Sequence, residues 1–262
     1  MEKVKVFLSD PQVLFREGIH FILSGEDDFE VTGETTSNQE AYSLIEANPP
    51  HIAILSMQDA KVSGPEISRR IKRSLPSVAV ILTMDKKEEE KLFAAIKGGA
   101  SACLTKDADP EYLLDIIRLV SQGNLPIIEE MLQPGLAAMV ITEFGDLAEL
   151  NEQLDNMLAS LAPKESQILS SIAAGNTIEQ AAAKLDISEA TIRQNLRLVL
   201  NKLVGNDQAR AIIDAAQRSL PSIIRGTARR DGKAAEYVTR EEFNEFKDHL
   251  MERLKSFIGE LA

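Results

Sequence analysis

Lys3-Val-Lys-Val-Phe-Leu8 is a β-rich run of strand length, and Leu14, Ile19 and Ile22 behind it recur at the three-to-four spacing of an amphipathic helix. The same alternation repeats down the first half of the chain. Short β-rich runs lie at 29–32, 51–55, 78–82 and 101–104, and between and after them lie helical stripes such as Ile67, Ile71, Leu75, then Leu92, Phe93, Ile96, and Leu113, Ile116, Ile117, Val120. Five strand–helix repeats in one segment predict a five-stranded parallel, doubly wound α/β domain over 1–124, with its working edge at the carboxyl ends of the strands.

Composition narrows what such a chain can do. Its 262 residues, 44% apolar and 27% charged, hold enough apolar content for two domains. The single Cys103 and the scattered His20, His51 and His249 form neither a disulfide scaffold nor a metal-ligand cluster, so no metal and no cofactor is expected. No stretch reaches the roughly 20 apolar residues of a membrane span, and the apolar run at the start is too short for a signal peptide. A cytoplasmic protein with no membrane partner is the expectation. The net charge of −12 argues against nucleic acid until it is divided by region. Residues 1–124 carry 14 bases against 20 acids, 125–160 none against seven, 161–220 seven against six, and 221–262 eight against eight. The last hundred residues are therefore electrostatically free to face DNA.

Arg16-Glu17-Gly18, Thr83 and Lys106-Asp107-Ala108-Asp109-Pro110 fall in the order and spacing of landmarks in the receiver domain of NarL/FixJ-type response regulators, which residues 1–124 resemble. The resemblance implies a phosphoacceptor Asp after strand three, an acidic pair after strand one that holds Mg²⁺, and a Thr and a Lys that grip the phosphoryl group. Asp10 matches the first acid, but Pro11, with no ligand atom on its side chain, stands at the second. Counted back from Gly64, Ser56 stands at the acceptor. A serine hydroxyl is protonated at pH 7 and needs an adjacent base that the sequence does not supply, so ordinary phosphorelay is expected to fail. Asp10, Ser56, Thr83 and Lys106 then form a degenerate pocket in which Lys106 pairs with Asp10. Asp59 is read as a solvated loop acid rather than a displaced acceptor. Cys103 stands where the family's switch aromatic lies, and as a strand cysteine among apolar neighbours it is read as a buried, unreactive thiol.

Residues 125–160 form a helical linker. Val140, Leu147, Leu150, Leu154, Met157 and Leu161 follow a heptad-like stripe, which serves equally as a dimer seam or as packing against the chain's own domains. Over 161–220 four helices are expected in an all-α helix-turn-helix domain, with Thr177 and Ser188 as caps and Asp186-Ile187-Ser188 as the turn. Leu161-Ala-Pro-Lys-Glu165, Ile172-Ala-Ala-Gly175, Ile187-Ser188, Thr191-Ile192-Arg193 and Lys202-Leu203 resemble the LuxR/NarL helix-turn-helix signature. On the second helix, Ala190, Ile192, Leu196, Val199 and Leu203 are expected to face inward. Arg193, Gln194, Arg197 and Asn201 are left to read bases, and Thr191 and Lys202 to contact phosphates. Asn195 departs from the His usual in the family.

Residues 221–262 add a basic arm at Arg225, Arg229, Arg230 and Lys233, then a C-terminal amphipathic helix whose Phe243, Phe246 and Leu250 are a second candidate for dimerisation. The expected function is a homodimeric, sequence-specific regulator of transcription bound to double-stranded DNA. It is not an enzyme, and its receiver works without phosphorylation, as a module for dimerisation or for a protein or ligand partner. The alternative is a signalling adaptor that has lost DNA binding.

Overall fold

A computed structural model of the chain describes residues 3–153 and 158–219, with side chains described for 3–148 and 158–213. Strands β1 (Val4–Ser9), β2 (Phe29–Thr35), β3 (Ile52–Ser56), β4 (Ala79–Met84) and β5 (Ala102–Thr105) form one parallel sheet in the order β2-β1-β3-β4-β5. The period-2 alternation of each strand divides the core. Val6, Leu8, Ile54, Ile81 and Leu104 face α1 (Val13–Ser24) and α5 (Pro110–Ser121). Phe7, Leu55, Val80, Leu82 and Cys103 face the other side, with α2 (Asn38–Ala47), α3 (Gly64–Ser74) and α4 (Glu89–Lys97). Both faces are covered, as parallel strands require. Gly64 sits so close to the end of β3 that a Cβ there would lie 2.6 Å from the Ser56 carbonyl oxygen, which fixes the loop after Ser56 against the strand.

The chain then runs through α6 (Ile127–Glu130) and α7 (Pro134–Gln153) into α8 (Pro163–Ala173), α9 (Ile178–Leu185) and α10 (Glu189–Ser219). Thr177 caps α9 by accepting from Gln180 N while the Gln180 side chain accepts from Thr177 N, and Asp186 turns the chain at φ 52° into the Ser188 cap of α10. Leu136, Val140 and Phe144 of α7 share one core with the α3–α4 side of the sheet and with Ile168, Ile172, Ile192 and Leu196. The two domains are thereby packed as one body of apolar contacts. Along α7, Leu147 is 4% exposed and packs on Leu158, Ala209 and Ile213 of its own chain. At this position the stripe packs against the chain's own residues. The side chains of Leu150, Leu154 and Met157, and all of Phe243, Phe246, Leu250 and the basic arm, lie outside the described residues.

The all-α domain departs from expectation twice. Three helices stand where four were expected, because α10 continues through Val204-Gly205-Asn206-Asp207. Tertiary bonds hold those turn-prone residues in the helix: Asn206 exchanges two 2.8 Å bonds with the Ala159 backbone, and Asp207 pairs with Arg69 of α3. Ala190 is exposed rather than inward, and Leu200, 4% exposed, takes a core place beside Val199.

Candidate phosphoryl pocket and DNA-reading helix

Because β1, β3, β4 and β5 run parallel, the residues at their carboxyl ends converge on one edge. Ser56 pairs in register with Thr83 at the ends of β3 and β4. Asp10 follows β1, and Lys106 follows β5. The structure thus brings the four residues of the degenerate pocket together, with Asp10 3%, Ser56 1% and Thr83 2% exposed. Lys106 Nζ lies 2.7 Å from Asp10 Oδ2 and donates to Oδ1 at 2.9 Å, and Thr83 Oγ1 donates to Asp10 Oδ2 at 3.3 Å. Gln12 N also donates to Asp10 Oδ1, at 2.8 Å. The cation is turned onto this carboxylate, and the Thr83 hydroxyl is shared between it and the Leu55 carbonyl, 3.4 Å away. Ser56 Oγ donates instead to the Gln58 carbonyl at 3.0 Å.

Two neighbours stiffen this edge, and only one was legible in the sequence. Asp59 is more than a solvated acid: its carboxylate accepts from the backbone N–H groups of Lys61 (2.8 Å), Asn38 (3.1 Å) and Val62 (3.2 Å). Partial burial acts to raise its pKa, and these three donors outweigh it, holding the group below the usual carboxylate range. Asn38, fully buried, was missed. Its Nδ2 donates to the Ser56 carbonyl at 2.9 Å and the Val62 carbonyl at 3.1 Å, while its Oδ1 accepts from Ser9 Oγ at 3.1 Å. A polar residue opening a helix beside three strand ends is the only signal that could have pointed to it. Cys103 is buried at 5% exposure, and that burial pushes its thiol pKa up, away from reactive thiolate. Among the described residues no group of His, Cys, Asp and Glu is arranged to hold a metal ion.

The residues expected to contact DNA lie on α10, and several are engaged elsewhere. Arg193 Nε donates to Glu129 of α6 at 2.8 Å, and its Nη1 lies 3.2 Å from Glu189. Arg197 donates to the Gly123 carbonyl at 2.7 Å. The α10 face that carries both arginines is thus turned onto the receiver and its linker. Gln194 and Asn201 are exposed, and Thr191 Oγ1 lies 2.9 Å from the capping Ser188 Oγ. Lys202 is taken up inside the domain: it bonds Glu165, itself 3% exposed, at 2.7 and 2.9 Å, and the Ser160 carbonyl at 3.0 Å. That geometry makes Lys202 the partner of a buried acid. Asn195 donates to the Thr191 carbonyl at 2.7 Å, a bond within its own helix.

Residues 6–118 match the response regulator receiver domain, and residues 159–215 match the bacterial regulatory proteins of the luxR family. The transcriptional regulatory protein YxjL of Bacillus subtilis (strain 168) is 27% identical over 219 residues, covering 84% of this chain and 98% of that protein. A nitrate/nitrite response regulator protein homolog of Haemophilus influenzae is 28% identical over 202 residues, covering 77% and 91%. Among solved structures, the receiver domain of the putative response regulator NarL from Mycobacterium tuberculosis superposes with a TM-score of 0.46 at 27% identity, covering 47% of this chain and 100% of that one. No helix among the described residues is long and apolar enough to cross a membrane. The chain is a response regulator of the NarL/LuxR type, a receiver domain joined to a LuxR-family DNA-binding domain.

Proposed function

We propose that this regulator controls transcription through sequence-specific binding to double-stranded DNA, as a homodimer, and that its receiver signals without becoming phosphorylated. The observation that carries the second half is the Asp10–Lys106–Thr83 cluster beside a serine. A receiver that takes phosphate keeps its Lys and Thr for the incoming phosphoryl group and uses a carboxylate as nucleophile. Here both grips close on Asp10, the hydroxyl of Ser56 is buried and bonded to a carbonyl, and Pro11 removes a metal ligand. DNA reading falls to Arg193, Gln194, Arg197 and Asn201, with Thr191 at the phosphates. A signal at the receiver, from a protein or ligand partner, acts by freeing the face of α10 that now rests on Gly123 and Glu129.

Incubation with acetyl phosphate and Mg²⁺, followed by intact-mass analysis, tests the receiver. The wild type should gain no hydroxylamine-labile phosphoryl adduct, whereas Pro11→Asp with Ser56→Asp should gain one. An adduct on the wild type would overturn the reading. The sequestered arginines favour a second function, a protein adaptor that no longer binds DNA. A mobility-shift assay against genomic fragments separates the two, with the Arg193→Ala/Arg197→Ala variant as control. Binding lost in the double variant supports the regulator, and equal behaviour of both proteins supports the adaptor.

A further inference from the structure

At the opposite edge of the sheet, beneath the amino-terminal ends of the strands, lies a cavity of about 460 Å³ between the receiver and the start of the linker. Its size falls within the roughly 300–1,000 Å³ of small-molecule sites. In a chain with a net charge of −12, its lining includes Lys3, His51 and Lys72 and, among the described residues, no carboxylate. Ser101, Ser121 and Asn124 add polar groups to the same wall.

The polar groups are oriented as well as collected. His51 Nδ1 accepts the Lys5 backbone N–H at 2.8 Å, which leaves Nε2 to carry the proton of the neutral ring and to donate. Lys72 donates to the Val78 carbonyl at 2.7 Å and reaches the Pro76 carbonyl at 3.5 Å, and among the described residues no carboxylate pairs with it. Burial draws its pKa down to about 8, so the unpaired ammonium is held there at a cost. A cation kept half-buried without a counter-charge is what an anion would complete.

We propose that this cavity binds a small oxyanion, a phosphorylated or carboxylated metabolite, with Lys72 and Lys3 meeting its charge and the Nε2–H of His51, Ser121 and Asn124 its oxygens. The site lies across the sheet from Asp10 and Lys106 and is independent of the phosphoryl pocket. Its reach toward α10 gives it a consequence. Gly123 lines the cavity, and its carbonyl is the acceptor for Arg197. A second cavity of about 330 Å³ shares Lys72, Ser101 and Leu125 with the first and is closed on its far side by Leu200, Asn201, Val204 and Gly205 of α10. That second wall exists only while α10 rests on the receiver. An anion extending into it therefore stabilises the closed molecule and, by linkage, weakens DNA binding by the same factor. This coupling rests on the DNA-binding reading; the binding itself does not.

Titration calorimetry on the full chain without DNA tests the site, with pyrophosphate and citrate as probes at an ionic strength held constant with KCl. The wild type should bind at least one probe, and Lys72→Met and His51→Ala should each weaken it tenfold or more, while Lys61→Met, which changes an exposed lysine elsewhere, should not. Lys72→Met removes an unpaired buried charge, so loss of the fold does not confound it, and exposed His51 gives a second variant. Equal binding by wild type and both variants, or binding of neither probe at millimolar concentration, overturns the site. Preference for pyrophosphate over citrate, or the reverse, tells phosphoryl from carboxylate chemistry. A protein that binds a probe but no DNA retains the site and loses only the coupling.

Discussion

Glu129→Lys should open the molecule. The Arg193–Glu129 pair spans 2.8 Å with side chains 42% and 53% exposed, so it falls among exposed ion pairs, which contribute about 0.2–1 kcal/mol. Reversing the charge removes that attraction and adds a repulsion of similar size, about 0.4–2 kcal/mol in all. At about 1.4 kcal/mol per factor of ten, the ratio of closed to open molecules falls by about 2- to 30-fold. Apparent DNA affinity scales with the open fraction, so it should rise by a comparable factor where the closed form dominates. Fluorescence anisotropy with a bound genomic fragment measures it. The added positive charge alone would also favour DNA, so Glu30→Lys, an exposed site on β2, serves as the matched control, and Glu129→Gln should give about half the effect in free energy. Equal gains from Glu129→Lys and Glu30→Lys would refute the closed-state reasoning.

Three further outcomes follow from the packing. Lys106→Met leaves the carboxylate of Asp10 buried without its cation and should cost about 3–5 kcal/mol in urea unfolding. Adding Asp10→Asn to that variant should recover much of the loss. Asn38→Ala strands the Ser56 and Val62 carbonyls and the Ser9 hydroxyl, for a loss of about 1–3 kcal/mol or more by the same measurement. Lys72→Met should be more stable than the wild type at pH 7, with the gain vanishing at high pH. The lysine has a folded pKa of about 8 against 10.5 when free, so its charged form is disfavoured by folding. Between those values the unfolded chain binds more protons and the wild type gains stability as pH rises. The advantage of Met is therefore largest below about pH 8 and gone above about pH 10.5; a difference independent of pH would show that Lys72 is not held against its charge.

The strands were legible because β1, β3, β4 and β5 are mostly buried and their apolar runs are punctuated by helical stripes. The four residues of the pocket were legible through the resemblance to receiver domains, and they meet in space because parallel strands end on one edge. Helix α10 was not. Val204-Gly205-Asn206-Asp207 reads locally as a break, and only Ala159 and Arg69, brought near by the fold, keep it helical. The same reason hid the clasps on Arg193 and Arg197, whose partners lie 64 and 74 residues away on another domain. Exposed arginines on a helix look alike in sequence whether they face solvent, DNA or a neighbouring carbonyl. Lys202 is the instructive opposite case: a basic residue in a DNA-binding signature whose charge is consumed by buried Glu165.

The acceptor for Arg197 is a main-chain carbonyl, contributed by Gly123 at φ +80°. Every amino acid presents that oxygen, so no side-chain change on the receiver's side of the contact removes the acceptor; that side yields only to a change that re-routes the turn. A genetic screen for regulators locked on should therefore collect acid-to-base changes at position 129 and bulky replacements at 123 that force its backbone out of the left-handed region. Neighbouring surface positions should stay silent, a spectrum of alleles that would report the clasp without any structure of the open form.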